Sequence, residues 1–248
     1  MINDSLNQVN YKHDPAVHNF SAARQILPYV FKIKPVDSVL DIGCGTGTWL
    51  SVANELGVNE ILGVDGVDLS EGDLKIPVKN FIKCDLTAPI NLSKKFDLLL
   101  CLEVAEHLPK EAAKTLIDTL TGHSDFIVFS AAIPGQDGQN HLNEQWPDYW
   151  QKLFLSNGYY PSEILRDHFW NNKEIDWWYR QNIIIYSPKT VLSHLNLKLS
   201  EEVKSMVHPE LFNLKLWYLN NLNRVIENEV YKPNFKTALK RLIKSIIY

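Results

Sequence analysis

The sequence is poor in cysteine and lacks any cysteine pair spaced for a metal or redox motif. Its three cysteines, Cys44, Cys84 and Cys101, lie in or beside apolar runs typical of strands. Thiols in such runs behave as small core residues, and no C-x-x-C pair accompanies them. The pattern argues against a disulfide framework and predicts reduced thiols in a cytoplasmic protein.

Long hydrophobic runs, a targeting signal and an excess of positive charge are also absent. No apolar run reaches the roughly 20 residues that span a bilayer, and residues 1–5 (MINDS) show neither a basic start nor an apolar segment. We therefore expect a chain that is neither secreted nor membrane-spanning. The net charge of -4 gives no global case for nucleic-acid binding. The G-x-S-x-G motif of a nucleophilic serine is missing as well.

Apolar runs and helical stretches alternate along the first three quarters of the chain. The runs predict strands near residues 38–42, 60–65, 80–84, 96–102 and 125–131, and aromatic and β-branched residues predict a last strand over 176–186. Such alternation is typical of a parallel sheet covered by helices. The predicted fold is an α/β, Rossmann-like doubly wound sheet of about seven strands.

The character of the chain changes after Pro188, where glycine disappears and helix-forming residues increase. Pro209 and Pro233 divide this tail into predicted helices. We therefore predict a main domain over residues 1–188 and a helical C-terminal extension over residues 189–248.

A glycine-rich turn follows the first predicted strand, in the run VLDIGCGTGTWL at residues 39–50. Glycine at positions 43, 45 and 47 lets the backbone turn sharply and approach a ligand where a Cβ atom would collide. A helix beginning near Thr48 would point its free N–H groups at that ligand. The spacing lacks the G-x-G-x-x-G order of dinucleotide turns, so the glycines alone predict only a nucleotide-type site.

Carboxylates at successive strand ends narrow the choice of ligand. Asp41 lies just before the glycine turn, Asp65 ends the second apolar run, and Asp85 ends the third. Carboxylates accept hydrogen bonds from amines and hydroxyls and do not suit a pyrophosphate. The set predicts S-adenosylmethionine, with its ammonium near the turn, its ribose diol on Asp65 and its adenine amine on Asp85. Asp68 is an alternative ribose ligand, and Asp85 is alternatively a turn cap.

With these residues the sequence resembles the class I S-adenosylmethionine-dependent methyltransferases, whose first motif is close to VLDIGCGTG at residues 39–47. The resemblance to this family covers roughly residues 36–135 and implies S-adenosylmethionine as the cofactor. The implied cofactor-binding residues are Asp41, Gly43, Cys44, Gly45, Gly47, Thr48, Trp49, Asp65, Gly66, Asp85, Leu86 and Leu102.

An acidic and histidine cluster follows the fourth predicted strand, in the run LEVAEHLP at residues 102–109. One helical turn would place Glu103 and His107 on one face, with Glu106 at the next position. A glycine-rich loop after the fifth strand is expected to bring His141 over the same pocket. Two carboxylates and two imidazoles match the donor set of a divalent-metal site for Mg, Mn, Fe or Zn.

The Glu-x-x-Glu-His pattern is similar to that of the plant small-RNA 3′-end methyltransferases and the ubiquinone-pathway O-methyltransferases, where a metal orients substrate hydroxyls. The resemblance implies metal ligands at Glu103, Glu106, His107 and His141. Two alternatives stay open. In the first, the Glu-His pair only caps a helix and orients the edge of the cofactor. In the second, His107 or His141 acts as a general base without a metal. The predicted catalytic residues are His107, His141 and Glu103.

Five further segments carry a wider resemblance: NFSAA at 19–23, LEVAEHL at 102–108, SAAIPGQ at 130–136, NEQWPDYW at 143–150 and WWY at 177–179. They resemble bacterial methyltransferases found with capsule, lipopolysaccharide and other surface-glycan genes, over about residues 11–187. The resemblance implies O-methylation of a sugar or sugar-derived hydroxyl in polysaccharide biosynthesis.

Residues near this predicted pocket suit a polar acceptor flanked by rings. Trp146, Tyr149 and Trp150 would stack on a sugar face, although their helical spacing equally predicts core packing. Asn140, Asn143, Glu144 and Gln145 would bond the sugar hydroxyls. Tyr11, His13 and His18 would form a lid over the cofactor, or are alternatively isolated surface residues.

The last helical segment, residues 235–248, is basic and amphipathic. Lys236, Lys240 and Lys244 form one stripe, and a second stripe consists of Leu239, Leu242, Ile243, Ile246 and Ile247. Such a helix binds an anionic membrane surface, packs on its own domain or joins two subunits. We expect a cytoplasmic enzyme, with peripheral contact at the inner membrane face or dimerisation through this helix as alternatives.

Three alternatives to a glycan-modifying enzyme remain at this point. One is a methyltransferase for another small molecule, and one is an RNA 2′-O-methyltransferase, although no basic face outside the last helix supports RNA binding. The third is a scaffold that binds S-adenosylmethionine without turnover. We expect a small-molecule or glycan-precursor substrate and no nucleic-acid partner.

Overall fold

A computed structural model describes residues 20–67, 69–228 and 235–247 of the chain. The backbone forms two compact units, the first running to Met206 and the second beginning at Val207. Several residues that the sequence singled out lie outside the described ranges, namely Tyr11, His13, His18, Asp68 and Pro233.

The described part of the first unit is built on one sheet. Its strands are β1 (Ser38–Ile42), β2 (Glu60–Asp65), β3 (Phe81–Lys83), β4 (Leu98–Leu102), β5 (Ile127–Ser130), β6 (Tyr159–Ser162) and β7 (Ile184–Pro188). They are ordered β3-β2-β1-β4-β5-β7-β6. Only the pairings that β7 makes with β5 and β6 are antiparallel. The predicted doubly wound sheet of about seven strands is confirmed.

The sequences of β1 and β4 explain why these strands lie in the middle of the sheet. All five residues of each strand are buried, in the runs SVLDI and LLLCL. Strands covered on both faces read as nearly continuous apolar runs. The strand order reverses between β1 and β4, and sheets of this kind bind ligands beside the carboxyl ends at such a reversal. The fold therefore places the glycine turn and the acidic cluster at one edge.

Helices cover both faces of the sheet. They are α1 (Ser21–Ile33), α2 (Thr48–Glu55), α3 (Ala113–His123), α4 (Pro147–Ser156), α5 (Ile164–Phe169), α6 (Trp177–Asn182) and α7 (Lys189–His194). One hydrophobic cluster joins the sheet to α1, α2, α5, α6 and α7, and another joins it to α3 and α4. This burial of apolar surface is the main driving force for folding.

One sequence-based prediction of local structure is correct only in part, and another is wrong. The predicted last strand over residues 176–186 is present as β7 from Ile184, but its first part is helix α6. Aromatic residues favour strands only weakly, and the helix instead buries its polar end against the sheet. The predicted helical turn through Glu103 also fails, because Glu103 adopts φ 54° and precedes a short 3₁₀ turn at Ala105–His107.

The end of the first unit is fixed by a buried ion pair. Arg166 and Glu163 lie 2.6 Å apart, and their side chains are only 2% and 7% exposed. Nη1 of Arg166 also donates to the carbonyl of Lys204 at 2.8 Å, and Oε1 of Glu163 accepts the N–H of Lys204 at 3.3 Å. We call residues 199–206 the terminal strap. The first unit therefore continues beyond residue 188, and the predicted domain boundary there stays a prediction.

The described part of the second unit consists of helices α8 (Pro209–Ile226) and α9 (Phe235–Ile247). Pro209 occupies the first position of α8, where its missing N–H costs no hydrogen bond. The predicted helical C-terminal segment is confirmed. Within the ranges that the structure describes, no helix has the length and hydrophobicity needed to cross a membrane.

Candidate functional site

The turn after β1 requires glycine for steric reasons. Gly43, Gly45 and Gly47 have φ values of 79°, 51° and 82°, in the left-handed region that side chains disfavour. A Cβ atom on Gly43 would lie 2.7 Å from Cγ1 of Val104, and one on Gly47 would lie 2.9 Å from Cγ1 of Ile76. The turn is therefore closed against the segment that follows β4.

Asp65 holds this turn from the end of β2. Its Oδ2 accepts the N–H of Gly45 at 2.7 Å, and its Oδ1 accepts the N–H of Val67 at 2.9 Å. A carboxylate has about four acceptor positions, so these two bonds leave positions for the hydroxyls of a ligand. Asp65 can thus shape the turn and meet a ribose diol with the same side chain.

Asp41 is almost fully enclosed at the end of β1. Only 3% of the surface of this residue is exposed to solvent. Burial raises the pKa of Asp41 well above its ordinary value, and the negative charge of Asp65 raises it further. Ionisation of Asp41 is therefore costly in the absence of a cationic partner, and its predicted place beside the ammonium of S-adenosylmethionine stays a prediction.

Replacing Asp41 by asparagine is expected to stabilise the cofactor-free protein, increasingly so at higher pH. Because the folded-state pKa of Asp41 is raised, its contribution is complete below the unfolded pKa of about 3.9 and is lost as the pH rises toward the folded pKa. An uncharged amide at this position would carry no such penalty. Urea unfolding from acid to neutral pH should show a gain that grows to about 1–3 kcal/mol.

The matched control for this prediction is Asp37→Asn, which removes an aspartate exposed at the surface. Its effect on the free energy of unfolding should change less with pH than that of Asp41→Asn. A gain for Asp41→Asn that is the same at every pH would show that the buried charge is not the cause.

The other predicted cofactor residues differ in their surroundings. Asp85 is exposed, and its Oδ1 accepts the N–H and the hydroxyl of Thr87 at 2.8 and 2.7 Å. This is the turn cap that the sequence left open for Asp85. Gly66 directly follows Asp65. Buried positions are occupied by Cys44, Thr48, Trp49, Leu86 and Leu102.

Three of the four predicted metal ligands come together after β4. Ligand atoms of Glu106, His107 and His141 all lie within 4.8 Å of one another, and the two imidazole rings meet edge to face at 4.9 Å. Glu106 is fully buried, and neither carboxylate oxygen has a hydrogen-bond partner among the described residues. Burial raises the pKa of Glu106 well above its ordinary value, and the charge of Glu103 adds to the rise.

The loop after β5 delivers His141 through a second carboxylate. Nδ1 of His141 lies 2.8 Å from Oε1 of Glu144. The same carboxylate accepts the N–H groups of Gly135 and Asp137 at 2.7 and 2.9 Å. The N–H groups of residues 142 and 143 bond to the carbonyl of Glu106. Glu144 thus fixes the loop and the imidazole, and the sugar contact that the sequence suggested for it stays a prediction.

Glu103 points to a different set of partners. Its carboxylate accepts the side-chain amide of Gln136 at 2.9 Å and that of Asn182 at 3.1 Å. Burial raises its pKa, while Asn182, Ser130, Gln136 and the charge of His141 oppose the rise. Glu103 is therefore held beside the three-residue cluster and is not a member of it.

Sequence reasoning missed this amide network. Asn182 also donates to Oε1 of Gln136 at 3.0 Å, and Gln181 donates to the same oxygen at 3.2 Å. Gln181 and Asn182 come from α6, which the sequence had predicted as strand. The sequence signal for it is the polar pair of Gln181 and Asn182 just before the apolar run of β7, at the buried end of α6.

The three aromatic residues that the sequence proposed for stacking on a sugar differ in their exposure. Trp150 is 2% exposed and packs on Phe129 with ring centroids 5.5 Å apart, so it is a core residue. Tyr149 is half-buried and meets Trp150 edge to face. Trp146 is 39% exposed just before α4 and remains available to a ligand.

A known protein family matches more than half of the chain. The profile of a family described as a methyltransferase domain matches residues 16–182, more than half of the chain. The chain belongs to this methyltransferase family. Its strand order and glycine turn are those expected of a class I S-adenosylmethionine-dependent methyltransferase.

Curated relatives of this methyltransferase resemble only part of it. The ribosomal RNA large subunit methyltransferase E of Methanoregula boonei is 26% identical over 130 residues, which cover 42% of this chain and 67% of the relative. The protein of the same name from a Caulobacter species is 35% identical over 94 residues, covering 32% and 40%. A third protein of that name, from Methanospirillum hungatei JF-1, is matched over 56% of its own length. The chain thus spans roughly half the length of these relatives.

Solved structures of other methyltransferases share the fold. The sugar N-methyltransferase KedS8 from a Streptoalloteichus species superposes with a TM-score of 0.53 at 14% identity, covering 74% of this chain and 98% of that one. The magnesium protoporphyrin IX methyltransferase of Synechocystis PCC 6803 with bound SAH gives 0.53 at 19% identity, covering 75% and 90%. DesVI from Streptomyces venezuelae gives 0.51 at 14%, covering 72% and 100%.

Proposed function

We propose that this methyltransferase transfers the methyl group of S-adenosylmethionine to a hydroxyl oxygen of a sugar or sugar-derived precursor. One observation carries the choice of oxygen. A buried carboxylate and two imidazoles, on Glu106, His107 and His141, gather beside the segment after β4, in which Val104 closes against Gly43 of the glycine turn. Such a group can take the proton that a hydroxyl loses as it is methylated.

The reaction is an in-line displacement at the sulfonium methyl group. The acceptor oxygen forms a bond to the methyl carbon while the carbon–sulfur bond breaks and its electron pair stays on sulfur. The products are the methyl ether and S-adenosylhomocysteine. The main work of the enzyme is to hold the acceptor oxygen close to the carbon and collinear with that bond.

Glu144 prepares His141 to receive the acceptor proton. A carboxylate only accepts hydrogen bonds, so Nδ1 of His141, 2.8 Å from Glu144, carries the ring proton. Nε2 is then the nitrogen with a free lone pair. Proton transfer from the hydroxyl to Nε2 makes an imidazolium ion, which the charge of Glu144 stabilises. This arrangement orients the base in the way that a carboxylate orients histidine in other enzymes.

The same residues fit a divalent metal. Glu106 offers oxygen and His107 and His141 offer nitrogen, a donor set that suits Mn, Fe or Zn and, through oxygen, Mg. The absence of a described hydrogen-bond partner for either oxygen of Glu106 supports the fit. A bound metal would supply Lewis acidity that lowers the proton affinity of the acceptor hydroxyl. Glu103, proposed as a fourth ligand, is already held by Gln136 and Asn182.

The glycan acceptor is the more specific part of the proposal. It rests on the resemblance to surface-glycan methyltransferases and on exposed Trp146, whose ring can stack on a sugar face. A sugar N-methyltransferase has the same fold. Sugar chemistry is therefore compatible with this scaffold.

An RNA 2′-hydroxyl is the second candidate acceptor. It is favoured by the curated relatives, which are ribosomal RNA methyltransferases, although each matches less than half of the chain. The net charge of -4 opposes it, because RNA binding draws on cationic side chains that neutralise phosphates.

The test is to measure S-adenosylhomocysteine formation by the full chain with nucleotide-activated sugars, their precursors and a ribosomal RNA transcript. Each acceptor is assayed with EDTA and with added Mg, Mn, Fe or Zn. We expect turnover on a sugar, with the product carrying a methyl ether. Isothermal titration with S-adenosylmethionine, run in parallel, establishes that the protein is competent to bind its cofactor.

The outcomes separate the alternatives. Turnover that EDTA abolishes and one metal restores supports the metal, and EDTA-resistant turnover supports His141 acting as the base without a metal. Methylation of RNA alone would replace the glycan proposal. Cofactor binding without turnover on any hydroxyl acceptor would contradict the proposed O-methylation and favour a scaffold.

A further inference from the structure

The second unit carries charge of the opposite sign to the chain as a whole. Residues 207–248 contain seven Lys and Arg side chains and three Asp and Glu side chains, a net charge of +4, whereas the whole chain has a net charge of -4. A cationic segment joined to an anionic body indicates an anionic partner for that segment.

Helix α9 separates its charge from its apolar side chains. Lys236, Lys240 and Lys244 recur every four residues along one side, and all three are exposed. Residues 235–247 include no acidic side chain. The apolar side displays Leu239, Leu242 and Ile243, which are 41%, 57% and 46% exposed.

Helix α8 adds a larger apolar surface to the same unit. Large apolar side chains are exposed around much of its circumference, each by 37% or more: Phe212, Leu214, Leu216, Trp217, Tyr218, Leu219, Leu222 and Val225. Monomeric soluble proteins rarely leave so many neighbouring apolar groups in water. We therefore expect a partner that provides an apolar environment for these side chains.

We propose that the second unit binds the surface of an anionic lipid bilayer, with the cationic stripe of α9 at the headgroups and its aliphatic stripe in the acyl boundary. Lipid headgroups supply the negative charge that α9 lacks, and the acyl boundary accepts Leu242 and its apolar neighbours. Trp217 and Tyr218 on α8 have the amphipathic rings that favour this interface. The proposal does not depend on which acceptor is methylated.

Two other partners explain the surface less well. A second copy of the chain could cover the aliphatic stripe, but another α9 helix offers no acidic residue in 235–247 to pair with the cationic stripe. A nucleic acid would match the charge and has rings to stack on at Trp217 and Tyr218, but its bases gain little from the aliphatic Leu239, Leu242 and Ile243.

Vesicle co-sedimentation of the full chain tests the proposal. The vesicles contain phosphatidylcholine alone or phosphatidylcholine with phosphatidylglycerol, at low and high salt. We expect binding only to the anionic vesicles, weakened by salt. The triple variant Lys236→Gln, Lys240→Gln, Lys244→Gln should bind on the order of 100-fold more weakly, since each cation contributes about fivefold.

A matched variant removes the same charge from the first unit. Lys79→Gln, Lys189→Gln, Lys198→Gln changes three lysines that are equally exposed there, and it should bind as the unaltered chain does. A second variant, Leu239→Ser, Leu242→Ser, Ile243→Ser, should also lose binding while keeping the net charge. Circular dichroism of every variant checks that the fold is retained.

Three results would overturn the proposal. One is equal loss of vesicle binding in both lysine variants, which would indicate general attraction by charge. Another is absence of vesicle binding together with a dimer, seen by sedimentation equilibrium, that only the serine variant disrupts. The third is tight, salt-sensitive binding of an RNA oligonucleotide without vesicle binding. None of these readouts depends on turnover, so they are independent of the proposed reaction.

Discussion

Glu106→Gln is expected to lower kcat by about 10²- to 10³-fold while leaving the affinity for S-adenosylmethionine within about twofold, the range expected when a proton-transfer site is disabled. The substitution keeps the shape of the side chain and removes its ability to carry negative charge. In the folded chain Glu106 is fully buried among His107 and His141. Its amide counterpart carries no charge beside the two imidazoles and is a weak ligand for a metal.

The control for this prediction is Glu111→Gln, at an exposed glutamate shortly after the cluster. It makes the same change in charge and should leave kcat unaltered. Thermal unfolding should show Glu106→Gln to be as stable as the unaltered chain or more so, because a buried acid without described partners is costly. A kcat within twofold of the unaltered enzyme would remove Glu106 from the chemistry.

Gly43→Ala is expected to destabilise the fold by about 2–4 kcal/mol and to weaken cofactor binding by at least about 100-fold, because overpacking and left-handed strain add at one residue. The added Cβ would lie 2.7 Å from Cγ1 of Val104, and the backbone there has φ 79°. Relief of that contact moves either the turn that approaches the cofactor or the segment that carries Glu106.

Two further variants divide the effect of Gly43→Ala into its causes. Gly57→Ala places a Cβ at φ 97° with no atom within 4 Å, so it should cost only the strain of about 1–2 kcal/mol. Adding Val104→Ala to Gly43→Ala should recover stability relative to the sum of the single changes. Chemical denaturation measures both, and simple additivity in the double variant would contradict the steric account.

The parts of the fold that the sequence predicted best are those in which local chemistry decides the structure. The strands at 38–42 and 60–65 are found at those residues, because each is a largely apolar run that stops directly before a glycine, at Ile42 and at Asp65. The glycine turn has the left-handed backbone that its sequence required. At these places the apolar run and the glycine conformation are sufficient to predict the structure.

The amide network around Glu103 lay beyond such rules. Gln136 and Asn182 reach Glu103 from 33 and 79 residues away along the chain. No period or motif joins residues so far apart, and the aromatic residues at 177–179 favoured a strand where the structure has α6. Tertiary burial of Gln181 and Asn182 outweighed the weak strand propensity of their neighbours. Strand β6 was not located either, since YYPS is short and contains a proline.

The terminal strap limits how far the enzyme can be shortened. A chain truncated after residue 188 would retain Arg166 and Glu163 but lose the backbone of Lys204, which both side chains bind. Buried ion pairs deprived of their polar neighbours are destabilising by several kcal/mol. A minimal catalytic fragment therefore has to include Lys204, and the first unit itself runs to Met206.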